Sequence, residues 1–133
     1  MSAEISVLTK NQEMVLDTLN QAKGPMSAYA ILDELRREGF RAPPQVYRAL
    51  DKLMQGGLVH RLESLNAFVA CSHGACHKAG LVAFAICDKC GAVSEFSDEA
   101  VTKSLTNWIS KNQFRNTKTT IEIRGDCPQC AAA

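Results

Sequence analysis

The sequence predicts an α+β fold in two parts. In the first part, three segments with helical periodicity are followed by two β-branched segments around a turn, which together form a winged-helix layout. In the second part, strand-like segments and one amphipathic helix lie between two Cys-x-x-Cys pairs. We expect a winged-helix domain at residues 1–72, a hinge at residues 73–80 and a small α/β domain at residues 81–133.

Three helices are predicted in the first part, each from a start signal and a stop signal. Thr9 and Gln12 form a capping box for the first helix, and the KGP segment at residues 23–25 ends it. Ser27 can cap the second helix, which ends at Gly39. The third helix starts at the prolines of APPQVYRALDKLMQGG, because proline suits a first helical turn, and ends at the glycine pair. Apolar residues recur at helical spacing in all three, so each is expected to bury one face.

Strand signals follow the third helix and return in the second part. LVHRLE and AFVAC, around the turn-like SLN, predict a β-hairpin that forms the wing. LVAFAIC, AVSEF and TTIEIRG predict three further strands, the last of which leads directly into DCPQC. Asp98 can cap a helix that runs to about Asn112. The apolar face of this helix is predicted to contain Val101, Leu105, Trp108 and Ile109.

The composition fits a globular protein and excludes some other classes. The chain is 46% hydrophobic and 22% charged, and no apolar run approaches the roughly 20 residues of a membrane span. The N-terminus lacks the regions of a secretory signal peptide, so we expect a cytoplasmic protein without a membrane partner. With a net charge of +1, any nucleic-acid binding must come from a local patch. In a reducing compartment, six cysteines favour metal binding or redox chemistry over disulfides.

The two Cys-x-x-Cys pairs predict a structural zinc site. Cys87 and Cys90 form the first pair, and Cys127 and Cys130 form the second after 36 intervening residues. Four thiolates can surround one tetrahedral zinc ion at about 2.3 Å. The alternative is a thioredoxin-like redox pair, but that motif lies at a helix N-terminus, whereas CDKC lies between two predicted strands. A closed site with four thiolates stabilises a fold and does not catalyse a reaction.

A second group of possible metal ligands lies near the junction of the two parts. The three histidines fall within 18 consecutive residues together with two cysteines, and a glutamate follows CDKC. Imidazole, thiolate and carboxylate are all zinc ligands, and a mixed set is expected to bind zinc more reversibly than four thiolates. Each residue alone would be explained as an ordinary surface group, but their clustering favours a metal site. The group consists of His60, Cys71, His73, Cys76, His77 and Glu95.

Three segments taken together resemble a known protein family. PPQVYRALDKLMQGGLVHRLES, followed by ICDKCGAV and a distal CPQC, is similar to the ferric-uptake-regulator superfamily of bacterial metal-sensing repressors. The resemblance covers residues 9–130. Within the superfamily, the separation of His60 from Cys71 and the place of Glu95, five residues after Cys90, are most similar to the zinc-uptake-regulator branch.

The resemblance implies two zinc ions per chain, one structural and one regulatory. The structural ligands of the family match Cys87, Cys90, Cys127 and Cys130. The regulatory ligands match His60, Cys71, a following histidine and Glu95. Because the stretch between Cys71 and CDKC is longer than the family pattern, the third regulatory ligand is open. We choose His77, with His73 and Cys76 as alternatives.

The resemblance also implies a function. In this superfamily a hinge joins the winged-helix DNA-binding domain to a dimerisation domain, and the metal-loaded homodimer represses metal-uptake genes by binding AT-rich palindromic operators. Tyr47 and Arg48 match residues of the DNA-facing helix, and a guanidinium can bond guanine or phosphate bidentately. Iron, manganese or peroxide sensing is the alternative within the superfamily, although the Cys71 thiolate favours zinc. A zinc enzyme is not expected, because four protein ligands leave no open position for water.

Overall fold

The computed structural model describes residues 8–71, 81–117 and 119–132. The chain divides into two compact units, Met1–Gly74 and Ala75–Ala133. The predicted hinge at residues 73–80 lies outside the described residues. Among the helices that the structure describes, none is long and apolar enough to cross a membrane.

The first unit contains three helices followed by a two-stranded antiparallel sheet, which confirms the predicted winged-helix order. Its elements are α1 (Lys10–Gln21), α2 (Ala28–Leu35), α3 (Pro43–Gln55), β1 (Val59–Leu62) and β2 (Ala67–Ala70). The capping box of α1 forms, because Thr9 Oγ1 accepts from Gln12 N–H and Gln12 Oε1 accepts from Thr9 N–H, both at 3.1 Å. Ser27 Oγ accepts from Ala30 N–H at 3.1 Å and caps α2 as predicted.

The second helix ends earlier than predicted. Regular α-helix stops at Leu35, and a single 3-10 turn, Arg36–Glu38, continues the chain to Gly39. Gly39 has a φ of 102°, in the left-handed region that glycine adopts without steric penalty. The glycine therefore ends the whole helical segment, whereas no sequence signal marked the change from α to 3-10 geometry.

The core of the first unit lies between the inner faces of the helices and the hairpin. β1 pairs with β2 so that Val59 lies opposite Ala70, and a further antiparallel bridge joins Phe68 to Met26 just before α2. Burial of one face of each helix leaves the opposite face to solvent. The buried cluster includes Val15, Leu19, Ile31, Leu32, Val46, Leu50, Leu53, Val59 and Phe68.

The second unit is a three-stranded sheet with a crossover helix. Its elements are β3 (Leu81–Cys87), β4 (Val93–Phe96), α4 (Glu99–Lys111), β5 (Thr119–Gly125) and α5 (Pro128–Ala131). The central strand β3 pairs antiparallel with β4 and parallel with β5. A parallel neighbour requires a crossover connection, which α4 supplies. Asp98 Oδ1 caps α4 as predicted, because it accepts from Ala100 N–H at 2.9 Å and from Val101 N–H at 3.2 Å.

The predicted apolar face of α4 is only partly covered. Leu105 and Ile109 are half-buried, whereas Val101 is 40% exposed and Trp108 is 56% exposed. The Trp108 ring packs at an angle against Phe114, with centroids 6.0 Å apart. No residue of α4 is buried. This side of the second unit therefore keeps an apolar surface that a partner could cover.

Candidate metal centre and nucleic-acid interface

Four cysteine sulfurs come together beyond the paired ends of β3 and β5. Cys87 is the last residue of β3, and Cys90 lies in the turn that follows. Cys127 directly precedes α5, and Cys130 lies within it. Because β3 and β5 run parallel, with Cys87 opposite Gly125, both cysteine segments leave the same edge of the sheet. The four Sγ atoms all lie within 4.8 Å of one another.

The sulfur geometry fits a tetrahedral zinc ion. With Zn–S bonds of about 2.3 Å, the edges of the sulfur tetrahedron are about 3.8 Å long. Cys90 Sγ and Cys127 Sγ lie 3.8 Å apart, and all four cysteines are free of disulfides. Cys87 and Cys90 flank a turn between two strands and do not lie at a helix N-terminus, which argues against a thioredoxin-like redox pair. The arrangement can hold one closed site with four thiolates.

Backbone hydrogen bonds shape the turn that carries the first cysteine pair. Gly91 N–H donates to Cys87 O at 3.0 Å, and Cys87 N–H donates to Ala92 O at 2.9 Å. Gly91 has a φ of 80°, which residues with a side chain rarely adopt. Cys87 Sγ accepts from Cys90 N–H at 3.4 Å and from Cys127 N–H at 3.3 Å. Donors from both cysteine segments therefore converge on one sulfur.

These donors determine which sulfur is ionised without metal. The N–H groups of Cys90 and Cys127 lower the pKa of the Cys87 thiol from 9.0 to about 6. Hydrogen bonding to the Cys127 side chain is the main cause that raises the pKa of Cys130 to about 12. At neutral pH the metal-free protein therefore holds Cys87 as a thiolate and Cys130 as a thiol. Because zinc binds thiolates, metal loading must release protons from this site.

Two predicted regulatory ligands lie side by side on the hairpin. His60 on β1 pairs with Val69 on β2, and Cys71 comes two residues after Val69. Side chains alternate between the faces of a strand, so His60 and Cys71 are diagonal neighbours on one face. Their ligand atoms lie within 4.8 Å of each other, and both residues are half-buried. Cys71 N–H donates to Leu58 O at 2.8 Å, which fixes the chain just beyond β2.

The structure describes Cys71 and Glu95 of the predicted regulatory site, but not the candidates for the third ligand. Cys71 is disulfide-bonded in this structure, which differs from the free thiol that the sequence suggested. Its sulfur must be reduced before it can bind zinc as a thiolate. Glu95 lies in the second unit, half-buried on β4 and opposite Phe84 of β3. The preferred third ligand, His77, and its alternatives, His73 and Cys76, lie outside the described residues.

The third helix presents a continuous polar stripe to solvent. Its exposed residues recur at spacings of three and four, whereas Val46, Leu50 and Leu53 on the opposite face are buried. Both residues predicted to face DNA, Tyr47 and Arg48, belong to the stripe. Sequence reasoning did not single out the other members, although the same spacing identifies them. The polar stripe consists of Tyr47, Arg48, Asp51, Lys52 and Gln55, and the exposed Pro44 lies at its N-terminal end.

A cleft runs beside the polar stripe, between α3 and the first turn of α1. Arg48 and Lys52 line it from α3, and Gln12 lines it from α1. Tyr29, on the first turn of α2, is 63% exposed and was also missed by sequence reasoning. Guanidinium and ammonium groups bind phosphates, and guanidinium and aromatic groups contact base edges. The first unit therefore has the chemistry to bind double-stranded DNA through α3.

Comparison with known proteins finds relatives along nearly the whole chain. A model of the ferric uptake regulator family matches residues 6–124. The zinc uptake regulation protein of Escherichia coli (strain K12) is 40% identical over 124 residues, which cover 92% of this chain and 72% of that protein. The crystal structure of holo XcZur is 43% identical, with a TM-score of 0.84 over 95% of this chain and 87% of that one. A zinc uptake regulator complexed with zinc and DNA is 36% identical, with a TM-score of 0.89 over 98% of this chain and 87% of that one.

Proposed function

The chain belongs to the ferric uptake regulator family, and we propose that it is a zinc-responsive, DNA-binding repressor of zinc-uptake genes. The observation that carries this proposal is its similarity, over 98% of its length, to a zinc uptake regulator solved with zinc and DNA. The sulfur cluster of the second unit and the polar stripe of the first supply the two kinds of binding that this function needs.

One zinc ion is structural in this proposal. Its ligands are Cys87, Cys90, Cys127 and Cys130, and the tetrahedral sulfur spacing supports them. Zn–S coordination bonds would join the end of β3 to the segment after β5. Four protein ligands leave no open coordination position for water, so we assign this site no catalytic activity.

A second zinc ion per chain is the signal. Its proposed ligands are His60, Cys71, His77 and Glu95, with His73 and Cys76 as alternatives to His77. The first two come from the winged-helix domain, His77 from the hinge at residues 73–80, and Glu95 from the dimerisation domain. A ligand set drawn from both sides of a hinge is complete in only one relative orientation of the domains. Metal binding and that orientation therefore favour each other.

Two chains bind one operator as a homodimer. The exposed apolar side chains of the second unit support self-association, because patches of this kind mark interfaces. These side chains are Val101, Trp108, Phe114 and Ile123. The two-fold symmetry of a dimer matches a palindrome, and it brings two copies of α3 to successive major grooves of AT-rich operator DNA in the cytoplasm.

The metal preference of DNA binding tests this function against iron and manganese sensing. Genomic fragments are selected with reduced protein that keeps its structural zinc but is stripped of weakly bound metal, and zinc, manganese or ferrous iron is then returned. Zinc is expected to restore DNA binding, because a thiolate ligand favours zinc over the oxygen-preferring manganese. The selected fragments should come from promoters upstream of zinc-transport genes. Selection with manganese or iron, but not with zinc, would assign the chain to another branch of the family.

A second candidate function is redox sensing at the same site, because the cysteine thiolate that would bind zinc can also be oxidised. Oxidation removes the Cys71 thiolate and with it one zinc ligand. Peroxide and a zinc chelator distinguish the two functions in a DNA-release assay. A zinc sensor releases DNA when the chelator is added in reducing buffer, whereas a redox sensor responds to peroxide and ignores the chelator.

A further inference from the structure

We propose that two ion pairs of opposite polarity hold the two cysteine segments of the zinc site in register before metal binds. The latch pairs, as we name them, are Asp88–Arg124 and Lys89–Asp126. Two of these residues lie inside the first Cys-x-x-Cys segment, and the other two lie just before the second. The inference rests on the proposed site with four cysteines and adds positioning residues that are not themselves ligands.

The first latch pair ties the first cysteine segment to the end of β5. Asp88 Oδ1 accepts from Arg124 Nε and from Arg124 Nη2, both at 2.9 Å. The backbone reinforces this contact, because Asp88 N–H donates to Gly125 O at 2.7 Å. A guanidinium that directs two donors at one carboxylate has a defined geometry. Asp88 is therefore held to β5 through both its side chain and its backbone.

The second latch pair has the reverse polarity. Lys89 Nζ lies 3.4 Å from Asp126 Oδ2. The first segment thus carries an acidic and then a basic residue, and the second carries a basic and then an acidic residue. Both contacts join opposite charges across the two segments, and opposite charges attract. The charge pattern therefore favours the register in which the four sulfurs meet.

The latch pairs are expected to act on the metal site more than on overall stability. Their side chains are between 41% and 62% exposed, and exposed ion pairs contribute little to folding. The second cysteine segment ends in α5, a helix of only four residues. Cys127 N–H donates to Cys87 Sγ at 3.3 Å, and the latch pairs add charged contacts between the same two segments. Without the latch pairs, the two cysteine segments separate more easily. A closed site must open in this way before it can release its metal.

The rate of zinc release measures this effect. Full-length, zinc-loaded Cys71→Ser protein, which lacks one proposed regulatory ligand, is mixed with an excess of a chromogenic chelator. Asp88→Asn or Arg124→Gln neutralises the first pair, and Lys89→Gln or Asp126→Asn neutralises the second. Each single variant is expected to release zinc about threefold faster than the parent, which corresponds to the interaction free energy of a partly exposed ion pair. The double variant of one pair should be no faster than its single variants, because both changes remove the same contact.

Two controls separate charge pairing from other effects. Asp33→Asn breaks the exposed Asp33–Arg36 pair of the first unit, whose atoms lie 3.1 Å apart, and should release zinc at the parent rate. The screening length falls from about 10 Å at 0.1 M salt to about 3 Å at 1 M, so high salt should remove the difference between parent and latch variants. Cobalt-substituted variants should keep the absorption spectrum of the parent, because no ligand has changed.

Parent-like release by all four single variants would overturn the latch pairs, and so would a difference that salt does not alter. A double variant whose effect on the release rate equals the combined effects of its two single variants would also overturn the latch pairs, because the two residues would then act separately. A parent protein that binds no zinc at all would overturn the proposed structural site itself, and the latch with it. The two failures are distinguishable, since the first leaves a zinc-loaded parent and the second does not.

Discussion

Cys87 Sγ is the atom on which both cysteine segments converge. Cys87 is 4% exposed, and its sulfur accepts N–H groups from Cys90 and Cys127. The spacing of the cysteines was enough to predict a zinc site. The spacing could not show that Cys87 Sγ is the sulfur that accepts these N–H groups, because the contact depends on the parallel pairing of β3 with β5. The Asp88–Arg124 pair was unpredictable for the same reason, since it joins residues 36 positions apart.

The lowered pKa of Cys87 predicts a pH-dependent contribution to the stability of the metal-free protein. The folded-state pKa, about 6, lies below the unfolded value of 9.0, so the thiolate stabilises the fold fully above pH 9. This contribution is lost as the pH falls from about 9 to about 6. Thermal melting of reduced, chelator-treated protein measures it as the melting temperature of the parent minus that of Cys87→Ser.

This difference in melting temperature should shrink as the pH falls across that window. The corresponding difference for Cys130→Ser should not, because the raised pKa of Cys130 keeps its sulfur protonated in the folded state throughout the window. A Cys87 difference that stays constant with pH would contradict a preformed thiolate at this position.

Arg48 is expected to contact DNA directly from the polar stripe of α3. Arg48→Ala should weaken operator binding by about 1–3 kcal/mol if the guanidinium pairs with a base, as measured by fluorescence anisotropy. If it contacts only a phosphate, the loss should be uniform across sequences, and the salt dependence should fall by about one charge. Lys23→Ala removes an equal charge from a different cleft and serves as the control. Unchanged binding by Arg48→Ala would remove this residue from the interface.

At the scale of elements, the two amphipathic helices α3 and α4 have similar sequence patterns but different surroundings. The helix starts were predictable because their caps are local, as at Thr9 and Asp98. The apolar face of α3 is buried within its own unit, whereas α4 has no buried residue. Periodicity identifies an apolar face, but it does not say whether the same chain or a second copy covers it.

Trp108 is expected to lie in the surface through which two chains associate. It is the single tryptophan of the sequence and is 56% exposed on α4. Because large aromatic side chains dominate interface energies, Trp108→Ala should raise the dimer dissociation constant about tenfold or more. Sedimentation equilibrium measures this constant, and Lys103→Ala, at an exposed position of the same helix, is the matched control. A Trp108 variant that associates like the parent would place the dimer contact elsewhere.

At the scale of the whole molecule, the proposal links zinc, domain orientation and DNA. The order of elements could be predicted, because caps, helical periodicity and turn residues are visible along the sequence. The regulatory ligand group, inferred from histidine clustering, stays a prediction. The third regulatory ligand could not be chosen firmly, because His73, Cys76 and His77 are close together and all have suitable chemistry. Linkage makes the coupling reciprocal, so operator DNA must raise zinc affinity by the factor by which zinc raises operator affinity.

The zinc dependence of operator binding tests this linkage most directly. Labelled operator is titrated with reduced protein at a series of buffered free zinc concentrations, using the unmodified chain, His60→Ala and Cys71→Ser. The unmodified chain should gain about tenfold or more in affinity as free zinc rises, the usual scale of coupling between two sites. Both variants should lose that gain while they retain the zinc held by four cysteines. Operator binding by the unmodified chain that is equally tight with and without free zinc would contradict the account.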